Sequence, residues 1–151
     1  MPESISRILG HHHRQCDELF ASAESAAAGQ RWDEARAQYG RFVAGMEWHI
    51  GTEESRLFPQ LEQHMGSSAG PTAVMRREHA ELRELLEAGR ITLAAEDAAA
   101  FTGLAETLLT MLQQHNLKEE HILYRMCDSM LGAQGAELAR ALQQEIVAPC
   151  R

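Results

Sequence analysis

The sequence predicts an all-α chain folded as an up-down-up-down four-helix bundle with a short C-terminal helix, and three observations carry that expectation. Long stretches rich in Ala, Leu, Glu, Gln and Arg contain only four prolines, so helix propensity runs almost unbroken. No alternating run of β-branched residues offers a strand. Apolar residues recur instead at helical spacing in two long helix pairs joined by short connections, the pattern of a bundle whose cofactor sites are built from inward-facing side chains. The 151 residues are read as one domain, 1–151, long enough to bury a core without disulfide staples.

The first helix is expected from about Ser4 to Ala28, with Ile5, Leu9, Cys16, Leu19, Phe20 and Ala23 as its apolar stripe and Gly29 as its stop. The second runs from about Trp32 to Met65 on Phe42, Met46, Ile50, Leu57 and Leu61, and Pro59 should kink it by removing a hydrogen bond. GSSAGPT is a turn. Pro71 suits the first turn of the third helix, which carries Met75, Leu82, Leu85 and Leu86 and fades near Glu96. Asp97 is the N-cap of the fourth, about Ala98 to Leu131, with Phe101, Leu108, Leu112, Ile122 and Met126 on its stripe and Gly132 closing it. A weaker helix from about Ala136 to Val147 packs as a cap.

A net charge of −8 repels phosphate backbones and anionic headgroups, so neither nucleic acid nor a membrane surface is an expected partner. No apolar run approaches the roughly 18 residues that span a bilayer. The start MPESISRILG lacks a cationic region followed by an apolar stretch and a small-residue cleavage site, which makes the cytoplasm the expected location. Cys16, Cys127 and Cys150 are odd in number and widely spaced, so free thiols are expected rather than a disulfide framework or a CxxC site.

The chemistry lies in the histidines. In the second helix Phe42, Met46, His49, Glu53 and Leu57 follow one seam, and in the fourth Leu108, Leu112, His115, Glu119, Ile122 and Met126 do the same. HIGTEESRLFP and HNLKEEHILYR align without gaps at an offset of 66 residues, His49 to His115. That offset also sets His13 over His79, Glu18 over Glu84, Leu19 over Leu85 and Phe20 over Leu86. His79 has Met75, Leu82 and Leu86 on its face, and His13 has Leu9, Cys16 and Phe20. His12, near Ile8 and Cys16, rivals His13 for the first-helix position; the offset sets it over Glu78.

Two carboxylates and four imidazoles cannot share an apolar interior unless their desolvation is offset, and no Lys or Arg lies on the seams. A pair of metal ions answers the problem, with carboxylates bridging and imidazoles from different helices completing each ion's shell. The candidate ligands are His13, His49, Glu53, His79, His115 and Glu119. Mixed imidazole and carboxylate ligation points to two iron ions, with manganese or zinc as substitutes. His11 and His121 are expected in solvent, as are Glu54 and Glu120, whose alternative is a hydrogen bond to a neighbouring ligand, and His64 is too far along its helix to join the centre.

HRQCDELF, HIGTEESRLFP, PTAVMRREH and HNLKEEHILY resemble the hemerythrin-like, or HHE cation-binding, family over about Ile5 to Met130. The resemblance implies a non-haem di-iron centre in a four-helix bundle, with those six residues as ligands. Oxygen-carrying members add a second third-helix His and use an Asp five residues after the fourth-helix His. Here Met75 and Arg83 flank His79 and two Glu hold the matching positions, closer to the branch linked to nitric oxide stress and repair of iron centres. Arg125 stands where that family has a proline, so the kink at Pro59 is expected to lack a twin. The implied function is binding of dioxygen, nitric oxide or peroxide as carrier, sensor or protectant. The alternative is enzyme-like scavenging, or iron donation to iron–sulfur centres, with a redox partner. Four imidazoles shared evenly leave an open position on each ion.

Overall fold

The computed structural model describes residues 3–147, so Cys150 lies outside the described residues. The chain is all-α, with no strand among them. Helix α1 spans Ile5–Ala28, and α2 (Trp32–Thr52) passes through a π-helical turn, π1 (Glu53–Leu57), into α3 (Phe58–Met65). Helix α4 covers Pro71–Ala94, and α5 (Ala98–Lys118) passes through π2 (Glu119–Leu123) into α6 (Tyr124–Leu131). A last helix, α7, covers Ala133–Val147.

The internal repeat is complete at the level of backbone. Adding 66 to the bounds of α1, α2, π1 and α3 returns the bounds of α4, α5, π2 and α6. The tight turns match as well: Gln30 and Glu96 both adopt a positive φ, and so do Gly66 and Gly132. The expected cap and stop are in place, since Asp97 accepts from Ala100 N and Gly29 ends α1, and Ser4 caps α1 by accepting from Arg7 N. One cap comes from far along the chain: Asp128 on α6 accepts the backbone N–H groups of Ile5 (2.8 Å) and Ser6 (3.3 Å). Those are two of the orphan donors that begin α1.

Both long seams contain a widened turn. Phe58 N donates to Glu53 O and Tyr124 N donates to Glu119 O, each bond skipping one residue more than an α-turn does. Pro59 therefore falls in the first turn of α3, where a missing N–H costs little. The twin turn forms although Arg125 replaces the proline, so the expectation of an unmatched kink is corrected. The inserted residue also corrects the helical phase. Ile122 is 54% exposed and Met126 half-buried, while Leu123, Tyr124 and Cys127 face the core. Helix α7 begins at Ala133 rather than near Ala136, because Gly132 reverses the backbone within one residue.

The core is divided in two. Phe20, Phe42, Leu86, Phe101 and Leu108 belong to one apolar cluster. Ile5, Leu9, Leu57, Phe58, Leu123 and Leu131 belong to the other, which α7 joins through Leu138, Ala139 and Leu142. Along every long helix the His and Glu positions fall between the two clusters, so a polar layer crosses an otherwise apolar bundle.

In the first cluster Tyr39 packs against Gly89, and its hydroxyl donates to Leu86 O at 2.7 Å. A Cβ at Gly89 would lie 2.1 Å from Tyr39 Oη and 2.6 Å from its Cζ. Gly to Ala inside a helix ordinarily stabilises by about 0.5–1 kcal/mol. Gly89→Ala should instead destabilise by about 1–3 kcal/mol, since the ring must shift and abandon its hydrogen bond. A urea midpoint that rises in this variant would show that Tyr39 is free to relocate.

Candidate metal centre

The polar layer brings together all six expected residues. His13, His49, His79 and His115 are each at most 3% exposed, and Glu53 and Glu119 are fully buried. Two groups of donors converge: His13, His49 and Glu119 in one, and Glu53, His79, His115 and Glu119 in the other. Glu119 turns Oε1 to His13 Nε2 (3.0 Å) and Oε2 to His115 Nε2 (3.2 Å). Glu53 turns Oε1 to His79 Nε2 (3.1 Å) and Oε2 to His49 Nε2 (3.3 Å). Both carboxylates thus present one oxygen to each side.

Every imidazole aims Nε2 inward and is held from outside through Nδ1. His13 donates to Glu120 (2.7 Å), His79 to Glu54 (2.9 Å) and His115 to Glu78 (2.7 Å). The fourth, His49, meets His12 Nδ1 at 2.9 Å. These outer partners fix ring orientation and tautomer, as they do around metal-binding histidines. Glu54 is in turn paired with Arg83 and Glu78 with Lys118. For Glu54 and Glu120 the hydrogen-bonding alternative holds over the solvated face.

Burial pushes His49 and His79 down in pKa, yet the two inner carboxylates outweigh it and raise them to about 9 and about 10. His115 is raised for the same reason. Burial would raise Glu119, but His115, His13 and His49 hold it well below the carboxylate range. Burial, then Glu119 and Glu53, push the Tyr124 phenol well above its usual range. The centre is a site of strong negative potential that favours cations. His12 lacks such a partner: burial and the neighbouring His49 and His13 lower it to about 3.

Three buried atoms in this layer, Glu53 Oε1, His79 Nε2 and Glu119 Oε2, have no hydrogen-bond partner. Unsatisfied buried groups of this kind are costly, and converging as they do they suit a cation with mixed nitrogen and oxygen ligands. The family model for the hemerythrin HHE cation-binding domain matches residues 4–127. The chain belongs to the hemerythrin HHE family. The iron-sulfur cluster repair protein YtfE of Escherichia coli O81 (strain ED1a) is 38% identical over 86 residues, 50% of this chain and 39% of that protein. The protein of the same name from Musicola paradisiaca (strain Ech703) is 27% identical over 139 residues, 82% of this chain and 62% of the relative. The chain thus spans about two-fifths to three-fifths of the length of these curated relatives. No solved structure matches.

In this hemerythrin-like chain the first-helix alternatives separate cleanly. His13 turns Nε2 to Glu119, whereas His12 is buried outside the inner donor groups, behind His49 and beside Trp48. His11 and His121 are exposed, as expected, and His64 is exposed as well. Cys16 is a buried thiol pushed up to about 12, chiefly by burial. The residue that sequence reasoning missed is Tyr124. It is fully buried, with Oη 2.5 Å from Glu53 Oε2 and 2.9 Å from both Glu119 Oε1 and His49 Nε2. Its signal was the Tyr of HNLKEEHILYR, opposite Phe58 of the first motif.

The geometry predicts a graded response to alanine substitution. Glu53→Ala, Glu119→Ala and His13→Ala should each bind fewer than two ions by metal analysis. Glu54→Ala, Glu78→Ala, Glu120→Ala and His12→Ala should keep two ions, with affinity about 10–100-fold weaker in chelator competition. Equal losses in the two sets would place the outer residues among the ligands.

Proposed function

We propose that this chain is a non-haem di-iron protein. His13 and His49 would hold one ion and His79 and His115 the other, with Glu53 and Glu119 offering a carboxylate oxygen to each. The observation that carries the reading is that each inner carboxylate turns its two oxygens to opposite groups of imidazoles. Iron is the metal favoured by mixed imidazole and carboxylate donors that leave coordination positions open, with manganese or zinc as substitutes. When bound, the ions supply Lewis acidity and one-electron redox chemistry toward dioxygen, nitric oxide or peroxide. The chain's own residues orient the imidazoles through their outer nitrogens and keep the centre dry between two apolar clusters.

Within that reading we favour iron handling in the repair of iron–sulfur centres, because that is what the names of its relatives state. A cytoplasmic setting suits it, since Cys16 and Cys127 are free buried thiols. The burial of all six donors favours a second reading, a carrier or sensor that retains its iron and binds a small ligand. No helix of the described residues is long and apolar enough to cross a membrane.

Anaerobic reconstitution with ferrous iron should give two ions per chain, and less than one would overturn the di-iron reading. Isotopically labelled iron on the chain should then move to an apo iron–sulfur protein under reducing conditions. Iron that stays on the chain while nitric oxide binds reversibly would select the carrier or sensor.

A further inference from the structure

The two halves of the centre carry matching donors: Glu53, His79, His115 and Glu119 converge on one side, and His13, His49 and Glu119 on the other, where Glu53 Oε2 also reaches His49 Nε2 at 3.3 Å. The inner contacts and part of the outer ones repeat at the 66-residue offset. His13 with Glu119 and Glu120 matches His79 with Glu53 and Glu54, and His49 with Glu53 matches His115 with Glu119. Even the ring beside the imidazole repeats: Phe58 stacks on His79 at 5.7 Å and Tyr124 on His13 at 5.6 Å. The equivalence of Phe58 and Tyr124 adds one atom to one half of the centre, the phenol oxygen.

That oxygen lies where a further ligand to an ion between His13 and His49 would lie. Donors about 2.1 Å from a common ion stand about 3.0–3.4 Å from one another. Tyr124 Oη is 2.9 Å from His49 Nε2, 3.2 Å from His13 Nε2 and 2.9 Å from Glu119 Oε1, near that spacing; its 2.5 Å contact to Glu53 Oε2 is shorter because the phenol O–H donates there, and it lengthens when that proton leaves. Resting on the di-iron reading, we propose that Tyr124 is a phenolate ligand of the ion held by His13 and His49, which makes the pair of ions chemically unequal. Coordination exchanges the Oη–H bond for an Oη–metal bond and releases the proton to solvent; no electron moves. It closes a position that an even division of four imidazoles would leave open. His12 and Glu120 do not fill it, because both are committed to the outer nitrogens of His49 and His13.

The other break in the repeat falls on the same ion. His12 stands where the offset calls for an equivalent of Glu78, so His49 is backed by a neutral imidazole while His115 is backed by a carboxylate. One negative charge is withdrawn from the outer layer of the ion that gains a phenolate in its inner layer. The two departures compensate in charge.

The test is the full chain loaded with iron, oxidised to the diferric state and examined by visible absorption and resonance Raman spectroscopy, with iron content measured on the same sample. A phenolate-to-ferric charge-transfer band with tyrosine ring vibrations is expected, and ring-deuterated tyrosine should shift those vibrations in the unsubstituted chain. Tyr124→Phe should abolish the band and keep two ions. Phenylalanine already occupies the equivalent buried position, 58, so the substitution suits the fold. Tyr39→Phe, which changes the other tyrosine, should leave the band intact. Two irons without a phenolate signature, or a signature that survives Tyr124→Phe, would overturn the assignment while leaving the di-iron reading in place. Fewer than one iron per chain would overturn both.

Discussion

Two fully buried carboxylates, Glu53 and Glu119, set the terms for everything around them. Each would cost several kcal/mol to hold ionised in an apolar interior without compensation, and here they stand side by side, one on each long seam. Four imidazoles face them through Nε2. Behind three of these lie further carboxylates, and Arg83 and Lys118 lie behind two of those. The layer therefore alternates outward from negative to proton-bearing to negative to positive. Such an arrangement is stable toward solvent and incomplete only at its centre, where the carboxylates repel each other and three atoms lack partners. Cations between the carboxylates remove both faults at once.

The two π-turns start at these same carboxylates. An α-helix sends neighbouring residues 100° apart, and a turn with one extra residue shifts the phase of everything that follows it. The widened turn lets Leu57 and Phe58 both bury, and likewise Leu123 and Tyr124. The second member of each pair is the aromatic ring that lies against an imidazole of the helix opposite. Without the extra residue Tyr124 would follow the ideal helical phase away from the centre, and its oxygen would not reach Glu53 or His49. The backbone irregularity is thus part of the site, in keeping with where π-bulges occur.

The inner donors were legible because a 66-residue repeat needs no structural knowledge to find, and because His and Glu on an apolar seam conflict with burial unless something answers their charge. The helices, their caps and the short connections followed from ordinary propensities. What escaped was everything that depended on the π-turns or on contacts between helices. Ile122 was assigned to the core by counting three from Glu119, and the inserted residue turned it outward. The partnership of Asp128 with the start of α1 joins positions 123 apart and leaves no local trace. Glu54, Glu78 and Glu120 look like ordinary solvated helix residues until the outer nitrogen of a neighbouring imidazole is placed beside them.

A repeat of this completeness tends to equal halves, and the two places where it fails near the centre have a common direction. Exchange of Phe58 for Tyr124 and of Glu78 for His12 leaves the helices, turns and inner carboxylates matched, so neither change was needed to hold the fold. Both bear on the half of the centre that contains His13 and His49. A centre with two identical ions has no preferred order of oxidation or of ligand entry. An ion with an added oxygen donor is better suited to the ferric state, because hard oxygen ligands favour the higher charge. On the di-iron reading, the ion of His79 and His115 would have the same imidazole and carboxylate donors, a carboxylate behind each imidazole and only the face of Phe58 at the position of the phenol. There a small ligand, or the departure of the metal, would meet least competition from the protein.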